Sequence, residues 1–323
     1  MTSESDILVV GAGLAGLMAA RSLAHAGHDV QVVDAAPQIG GRLQMNRLSF
    51  TCGADLSFDH GAQFISLRDP ALNEVRESAL AAGALIPHPP VAKLKNGFWL
   101  DPEEAPNRLR GTPTMASFAQ FLAHGLNITL NTVIEKLEWQ NGWTAQSATQ
   151  SFKAKKLILA VPPRAAQALL PDLGLTAKLL PTTALCVAFD QKLEVPFDHA
   201  FIESETLGWM ARQPHTRQAE RAGRDRWVLH ATNGFSYRHR KLPDHQVVER
   251  LLMLWVTTLG LQKLPGVGWS SLTYFEDAFV ETPEGAPIVQ DPARNLTLCG
   301  DWCLGPRCEA ALLSGQVAAQ AAL

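Results

Sequence analysis

Gly11, Gly13 and Gly16 stand in a G-x-G-x-x-G run, and Asp34 closes the next apolar stretch. Gly11 suits a tight turn, Gly13 lets backbone approach a pyrophosphate, and Gly16 lets a helix lie close to a strand. A helix opening on this loop, at Leu14 and Ala15, turns unpaired N–H groups toward phosphates. Asp34, with Ala35 beside it, stands where a carboxylate accepts hydrogen bonds from ribose hydroxyls. The elements that must position these residues are legible around them. Ile7 to Val10 reads as a buried parallel strand, 14–26 as a helix capped by Gly27, and Val30, Val32 and Val33 as a second strand. Strand, glycine turn, helix, strand and acid in this order point to dinucleotide binding. A nucleotide-free turn does not explain the acid.

Gly40, Gly41 and Arg42 follow Asp34 closely. Two adjacent glycines let backbone pass near a second part of the same ligand, and Arg42 offers a fork of donors to pyrophosphate charge. At the other end of the chain, an apolar run from Leu296 leads into Gly300–Asp301, and a small-residue helix starts near Glu309, Ala310 and Ala311. The helix N-terminus there is electropositive. Both ends of the chain read as halves of one site.

The chain has 323 residues, enough for two domains, and 46% are apolar. Its 28 basic and 31 acidic residues give a net charge of −3, with no polybasic tract, which argues against nucleic acid as a partner. The first apolar run breaks at Arg21, too short to span a bilayer, and no signal peptide is visible, so a cytoplasmic protein without a transmembrane segment is expected. Cys52, Cys186, Cys299, Cys303 and Cys308 read as free thiols, and their spacing predicts no metal site.

Residues 87–113 are rich in proline and polar residues, with a hairpin expected at Asn96–Gly97, and 115–126 form an amphipathic helix. Residues 127–147 alternate like antiparallel strands turning at Asn141–Gly142, and 155–163 form a buried strand ended by Pro162–Pro163. Between 179 and 282 the chain is rich in strands, with one amphipathic helix at 245–261. The fold class is therefore α/β: a Rossmann-type domain from 1–66, 127–170 and 291–323, and a mixed, mostly antiparallel β substrate domain from 67–126 and 171–290.

The acid followed by Gly-Gly-Arg resembles the amine-oxidase-like branch of flavoproteins. "DHGAQFISLRDP", "LILAVPP", "WMAR", "WVLHAT" and "CGDWCLGPRCEAALLSGQVAA", in order along the chain, resemble the renalase-like family, especially its bacterial members. The resemblance implies a glutathione-reductase-like fold and non-covalent FAD. It implies backbone contacts to the cofactor at Gly61, Ala62, Gln63 and Phe64, at Val133 beside the adenine, and at Ala160 and Pro162. It places Asp301 at the ribityl or phosphate portion and Glu309, Ala310 and Ala311 at the isoalloxazine. It further implies an oxidase taking hydride from misreduced dihydropyridine isomers of NAD(P)H, with O2 reduced to H2O2.

A dihydropyridine becomes aromatic as it loses hydride, so orientation matters more than acid–base help, and no side chain is singled out as catalytic. The stretch "TTALCVAFDQ" lacks the lysine that amine oxidases of the superfamily place near the flavin. Only Tyr237 and Tyr274 are available as tyrosines. Acidic Glu276, Asp277 and Glu281 stand where relatives carry basic and aromatic residues, and would oppose a phosphate-bearing substrate. Arg212 reads either as a substrate anchor or as a surface ion pair, His230 as a core histidine or a substrate contact, and Trp302 as a cavity wall or, second, a packed core residue. Arg217 to Arg226 read as a solvated basic loop. An amine oxidase or desaturase-type enzyme on another small substrate, and a flavin-binding redox sensor or assembly protein without turnover, are the competing readings.

Overall fold

The computed structural model describes residues 2–49, 55–213 and 225–323. Cys52 and the basic residues between 217 and 224 lie outside them. Two large sheets organise the chain. In the first, Asn127–Thr129, Val30–Val33, Thr2–Val10 and Ser151–Leu159 lie side by side and parallel. The outer side of Ser151–Leu159 is shared: its start pairs antiparallel with Trp143–Gln146, and its end pairs parallel with Leu296–Leu298. Ile7 to Val10 is buried throughout, as its continuous apolar run requires, and Val30 to Val33 is buried too, polar Gln31 included. The helices Leu14–His25 and Cys308–Ala322 cover one face of this sheet. They touch closely because Gly315 has no Cβ; one would stand 2.2 Å from the carbonyl oxygen of Ala15.

The second sheet runs Val267–Thr282, Lys178–Phe189, Asp225–Ala231, Leu207–Arg212, His199–Ile202, Val91–Lys95 and Phe98–Glu103. All neighbours are antiparallel except His199–Ile202 and Val91–Lys95. Alternation divides its faces. Leu185, Val187, Phe189, Trp227, Leu229 and Met210 pack with Leu251 and Trp255 of the helix Asp244–Leu259. Each such large side chain contributes about 2 kcal/mol by leaving water. The opposite face carries small or polar groups in the same strands, Ala184, Cys186, Ala188, Val228 and His230. Phe58 packs on Cys186, Ala188 and Val228, and His60 lies beside His230 on the same face. Asn96 and Gly97, with φ of 51° and 80°, make the expected hairpin between Val91–Lys95 and Phe98–Glu103.

Three local expectations change. Asn127–Thr129 alternates like an antiparallel strand but pairs parallel with Val30–Val33, because Gln31 reaches across to Asn127 and Thr129 and stitches the edge. Residues 67–126 divide between both cores: Leu72, Val75, Phe118 and Leu122 pack with Leu17 and Leu23 on the nucleotide side, whereas Ala92 joins the substrate sheet. Arg226 is not in a solvated loop. It is buried in Asp225–Ala231, donates to the Ser57 carbonyl, and lies over the Phe58 ring.

Candidate functional site

The strand ends Val10 and Val33 bring the glycine loop and Asp34 together. The Asp34 carboxylate accepts N–H bonds from Ala12 at 2.5 Å and Ala36 at 2.7 Å, and each oxygen keeps a further lone pair for a ribose hydroxyl. The second glycine pair folds back onto this loop: Gly40 donates to the Ala12 carbonyl at 2.8 Å, and Gly41 lies against Gly13. A Cβ on Gly16 would stand 1.9 Å from the Gly11 carbonyl oxygen, so Gly16 serves internal packing. A Cβ on Gly13 would meet nothing within 4 Å. That open side, next to a helix start, fits a pyrophosphate. Leu14 and Ala15 turn their side chains into the core and offer only backbone to a ligand, while Ala35 is exposed. Thr132 donates to the Asp34 carbonyl at 2.9 Å and Asn131 to that of Ala36 at 3.0 Å, which holds exposed Val133 beside the same rim.

Arg42 and Asp301, far apart in the chain, form an ion pair of 2.6 Å, and Arg42 also donates to the Ala278 carbonyl at 2.9 Å. Burial weakens the Arg42 charge, but the Asp301 carboxylate outweighs it and raises the guanidinium pKa. These two residues therefore share one polar point where the glycine pair, the last strand and the long edge strand meet. Ala160 packs against Gly16 and Gly11, and Pro162 precedes the helix Pro163–Leu169. Cys308, at the start of the terminal helix, lies near Arg42 and Asp301; burial pushes its thiol up to about 12, so it stays protonated. Ala310 and Ala311 are buried behind it. The Glu309 carboxylate accepts the backbone N–H groups of Arg68 and of Asp69, the latter at 2.8 Å. Trp302 is not a cavity wall. It is 2% exposed, donates to the Val161 carbonyl at 3.1 Å, and packs in the core. Glu276 and Asp277 are both paired with Arg164, which offsets the acidity read from the sequence.

The loop after Asp55–Asp59 lies against the second sheet, on the side away from the helix Asp244–Leu259. His60 is buried and stacks on Phe275 at 5.3 Å, and its carbonyl accepts from His230 Nε2 at 3.0 Å. Burial lowers the His60 pKa and takes that of His230 down to about 4, so both rings are neutral at pH 7. Gly61 is tight against Arg42: a Cβ would stand 1.8 Å from its carbonyl oxygen, and Ala62 donates to the same oxygen at 2.9 Å. Gln63 folds back to donate to the Asp59 and Gly61 carbonyls and accepts from Gln213 at 3.3 Å. Phe64 packs among Phe201, Trp209 and His88. Arg212 is neither a substrate anchor nor a surface pair. It is 7% exposed, pairs with buried Asp225 at 3.0 Å and with Asp198 at 2.8 Å, and lies over Trp227. The strand lacking a lysine in its middle extends back to Lys178, which is exposed and pairs with Thr282 at the far end.

Several groups escaped sequence reading. Asp59 accepts the Met115 N–H at 3.0 Å, and burial raises its pKa to about 6 despite Arg110 and Arg226 nearby. Its position directly before His60 was the available signal. His88, His199 and Trp209 gather with ring centroids 4.6 to 6.4 Å apart. They come from three separate segments, and no local spacing announces them.

Comparison with known proteins agrees with this geometry. A model of the NAD(P)-binding Rossmann-like domain matches residues 9–77, and one described as flavin containing amine oxidoreductase matches 94–323. A putrescine oxidase from Kocuria rosea is 59% identical over 39 residues, 12% of this chain and 8% of that protein. An L-amino-acid oxidase from Echis ocellatus is 50% identical over 46 residues, 14% of this chain and 9% of that protein. The matches thus span about a tenth of the length of these curated relatives. Among solved structures, the cyclohexylamine oxidase from Brevibacterium oxydans IH-35A superposes with a TM-score of 0.73 over 98% of both chains at 14% identity. At that identity the likeness is one of fold.

Proposed function

Because this chain belongs to the flavin containing amine oxidoreductase family, we propose that it is an FAD-dependent oxidase of the renalase-like kind. It takes hydride from misreduced dihydropyridine isomers of NAD(P)H and uses O2 as acceptor. Bound FAD supplies the two-electron acceptor. The chain supplies position: the open side of Gly13 and the Asp34 carboxylate hold the adenosine and pyrophosphate, while Arg42 and Asp301 hold the far half.

One observation carries the substrate class. The row Thr273, Ala184, His230, Trp209 and Phe201 across adjacent strands contains no lysine and no carboxylate until Lys93, the next neighbour beyond Phe201, which pairs with Glu103, and both His60 and His230 are neutral at pH 7. An uncharged wall suits a donor that gains aromaticity on losing hydride and needs no proton removed. His60, His230 and Phe275 orient a flat ring and exclude water.

An amine substrate is the second reading. The oxidases named above support it, and so does Asp59, whose carboxyl, near pH 6, sits buried beside Gln63. The two separate on mixing in air. The 2- and 6-dihydro isomers of NAD(P) should give NAD(P)+ and H2O2 in equal amounts, and putrescine or cyclohexylamine should give none. Peroxide from the amines alone would establish the second reading.

A further inference from the structure

The small sheet of Ile65–Ser66, Leu85–Pro87 and Arg108–Gly111 has two unlike faces. Ile65, Leu67, Leu85 and Leu109 turn into the nucleotide-side core. Side chains alternate along a strand, so Phe64, Ser66, Arg68, Arg108 and Arg110 take the other face. Ser66 stands opposite Arg108, and Leu67 donates to the Asn107 carbonyl at 3.2 Å. Arg68 is therefore the diagonal neighbour of Arg108, within reach for side chains this long. The Arg108 guanidinium lies over the Phe64 ring at 5.1 Å and the Phe201 ring at 5.6 Å. Burial and the like charge of Arg68 hold its pKa below the ordinary arginine value. Arg68 is exposed and Arg108 half-buried, so the pair opens to solvent.

Two guanidinium groups this close repel each other unless an anion lies between them. Neither forms an ion pair among the described residues, because the acids nearby are engaged elsewhere. Glu103, which acts on Arg108, pairs with Lys93 at 2.9 Å. Glu309 accepts the backbone N–H groups of Arg68 and Asp69, and Asp69 accepts that of Ala71 at 2.9 Å. Arg110, next along the same face, adds a third cation, offset in part by Asp59 and Asp198. A carboxylate would cancel only one charge of the open pair. A phosphoryl group, with about two negative charges and three acceptor oxygens, cancels both and matches two forks of donors. The pair also adjoins the candidate site. Phe64 lies 5.6 Å from Trp209, the cross-strand neighbour of His230. This is the Phe201 end of the row, whereas Glu276 and Asp277 belong to the strand at the Thr273 end.

We propose that Arg68 and Arg108 form a subsite for a phosphoryl group at the Phe201 end of the candidate site. The subsite stands on its own geometry and holds for either substrate reading. Its occupant is a phosphate carried by a molecule that lies along the row, or a free phosphoryl anion bound beside it.

The FAD-loaded protein is titrated by calorimetry at low salt with inorganic pyrophosphate and with acetate. Pyrophosphate should bind at least about tenfold more tightly. Arg68→Gln and Arg108→Gln should each weaken it about tenfold, the weight of one charge-assisted hydrogen bond. Arg250→Gln makes the same change of charge on an exposed position of the helix Asp244–Leu259 and should leave the affinity as it was. FAD content and far-UV circular dichroism check folding. If Arg108→Gln does not fold, Arg68→Gln, at an exposed position, carries the test alone. NAD+ that displaces pyrophosphate would assign the subsite to a phosphate carried by a nucleotide, and pyrophosphate that stays bound beside NAD+ would assign it to a free anion. No pyrophosphate binding, an affinity no better than that of acetate, or a loss no larger in the two variants than in Arg250→Gln overturns the proposal. Dihydropyridine isomers that leave the flavin oxidised would reject the proposed function and leave the subsite standing.

Discussion

His88, His199 and His230 sit below the ordinary histidine value of 6.5, chiefly through burial, at about 4, 3 and 4. The unfolded chain therefore takes up these protons first. Their contribution to stability is complete above pH 6.5 and is lost as pH falls toward the folded values, at about 1.4 kcal/mol per histidine per pH unit. Asp59 runs the other way: raised to about 6 by burial, its contribution is present below 3.8 and lost as pH rises through 6. Three groups outweigh one, so the urea midpoint should fall between about pH 7 and pH 5, and His199→Phe should flatten that slope. A midpoint that rises on acidification contradicts the neutral histidines. At Arg42, Asp301→Asn removes a charge-assisted bond worth about 1.5–3 kcal/mol and should loosen FAD about tenfold or more. Undiminished retention of FAD through a spin column would remove Asp301 from the cofactor site.

Two glycines separate what the elements do for folding from what they do for binding. Gly315 lies where the terminal helix crosses Leu14–His25, with no room for a Cβ, so Gly315→Ala should lower stability by about 1–3 kcal/mol with or without FAD. Gly13 has ordinary extended backbone and open space, so Gly13→Ala should leave the apoprotein within about 0.5 kcal/mol of the parent and still weaken FAD about tenfold or more. Thermal melts with and without added FAD check both, and a Gly13→Ala apoprotein as damaged as Gly315→Ala would contradict the cofactor's position. The same contrast shows what the sequence could reveal. The glycine loop, Asp34 and the Leu296 strand were legible because their spacing is local and each element carries its own period. The environments of Arg212 and Trp302 were not, since burial depends on partners remote in the chain. Asp225 and Asp198 take Arg212 out of the site, and the Val161 carbonyl takes the Trp302 indole. Asn127–Thr129 misled because three alternating residues suit either strand direction; its neighbour decides.

At the scale of the whole molecule, the two sheets meet through a few long-range contacts: Arg42 with Asp301 and the Ala278 carbonyl, Arg164 with Glu276 and Asp277, and His230 with the His60 carbonyl. No helix among the described residues is long and apolar enough to cross a membrane. The Arg164 pairs are exposed and weak, about 0–1 kcal/mol each, so replacing Glu276 and Asp277 with neutral residues should change stability little. The freed Arg164 should then attract phosphate-bearing substrates, and more at low salt. A salt-independent KM in that variant would place the pair away from the substrate path. The central claim is the pairing of FAD with a dihydropyridine donor beside the row from Thr273 to Phe201, which carries no lysine and no carboxylate. Anaerobic titration of the yellow protein, followed by the flavin spectrum, tests it most directly. The 2- or 6-dihydro isomers of NAD(P) should bleach the flavin stoichiometrically and faster than ordinary NADH does, with putrescine inert. Flavin that stays oxidised with both isomers while an amine bleaches it would contradict the account.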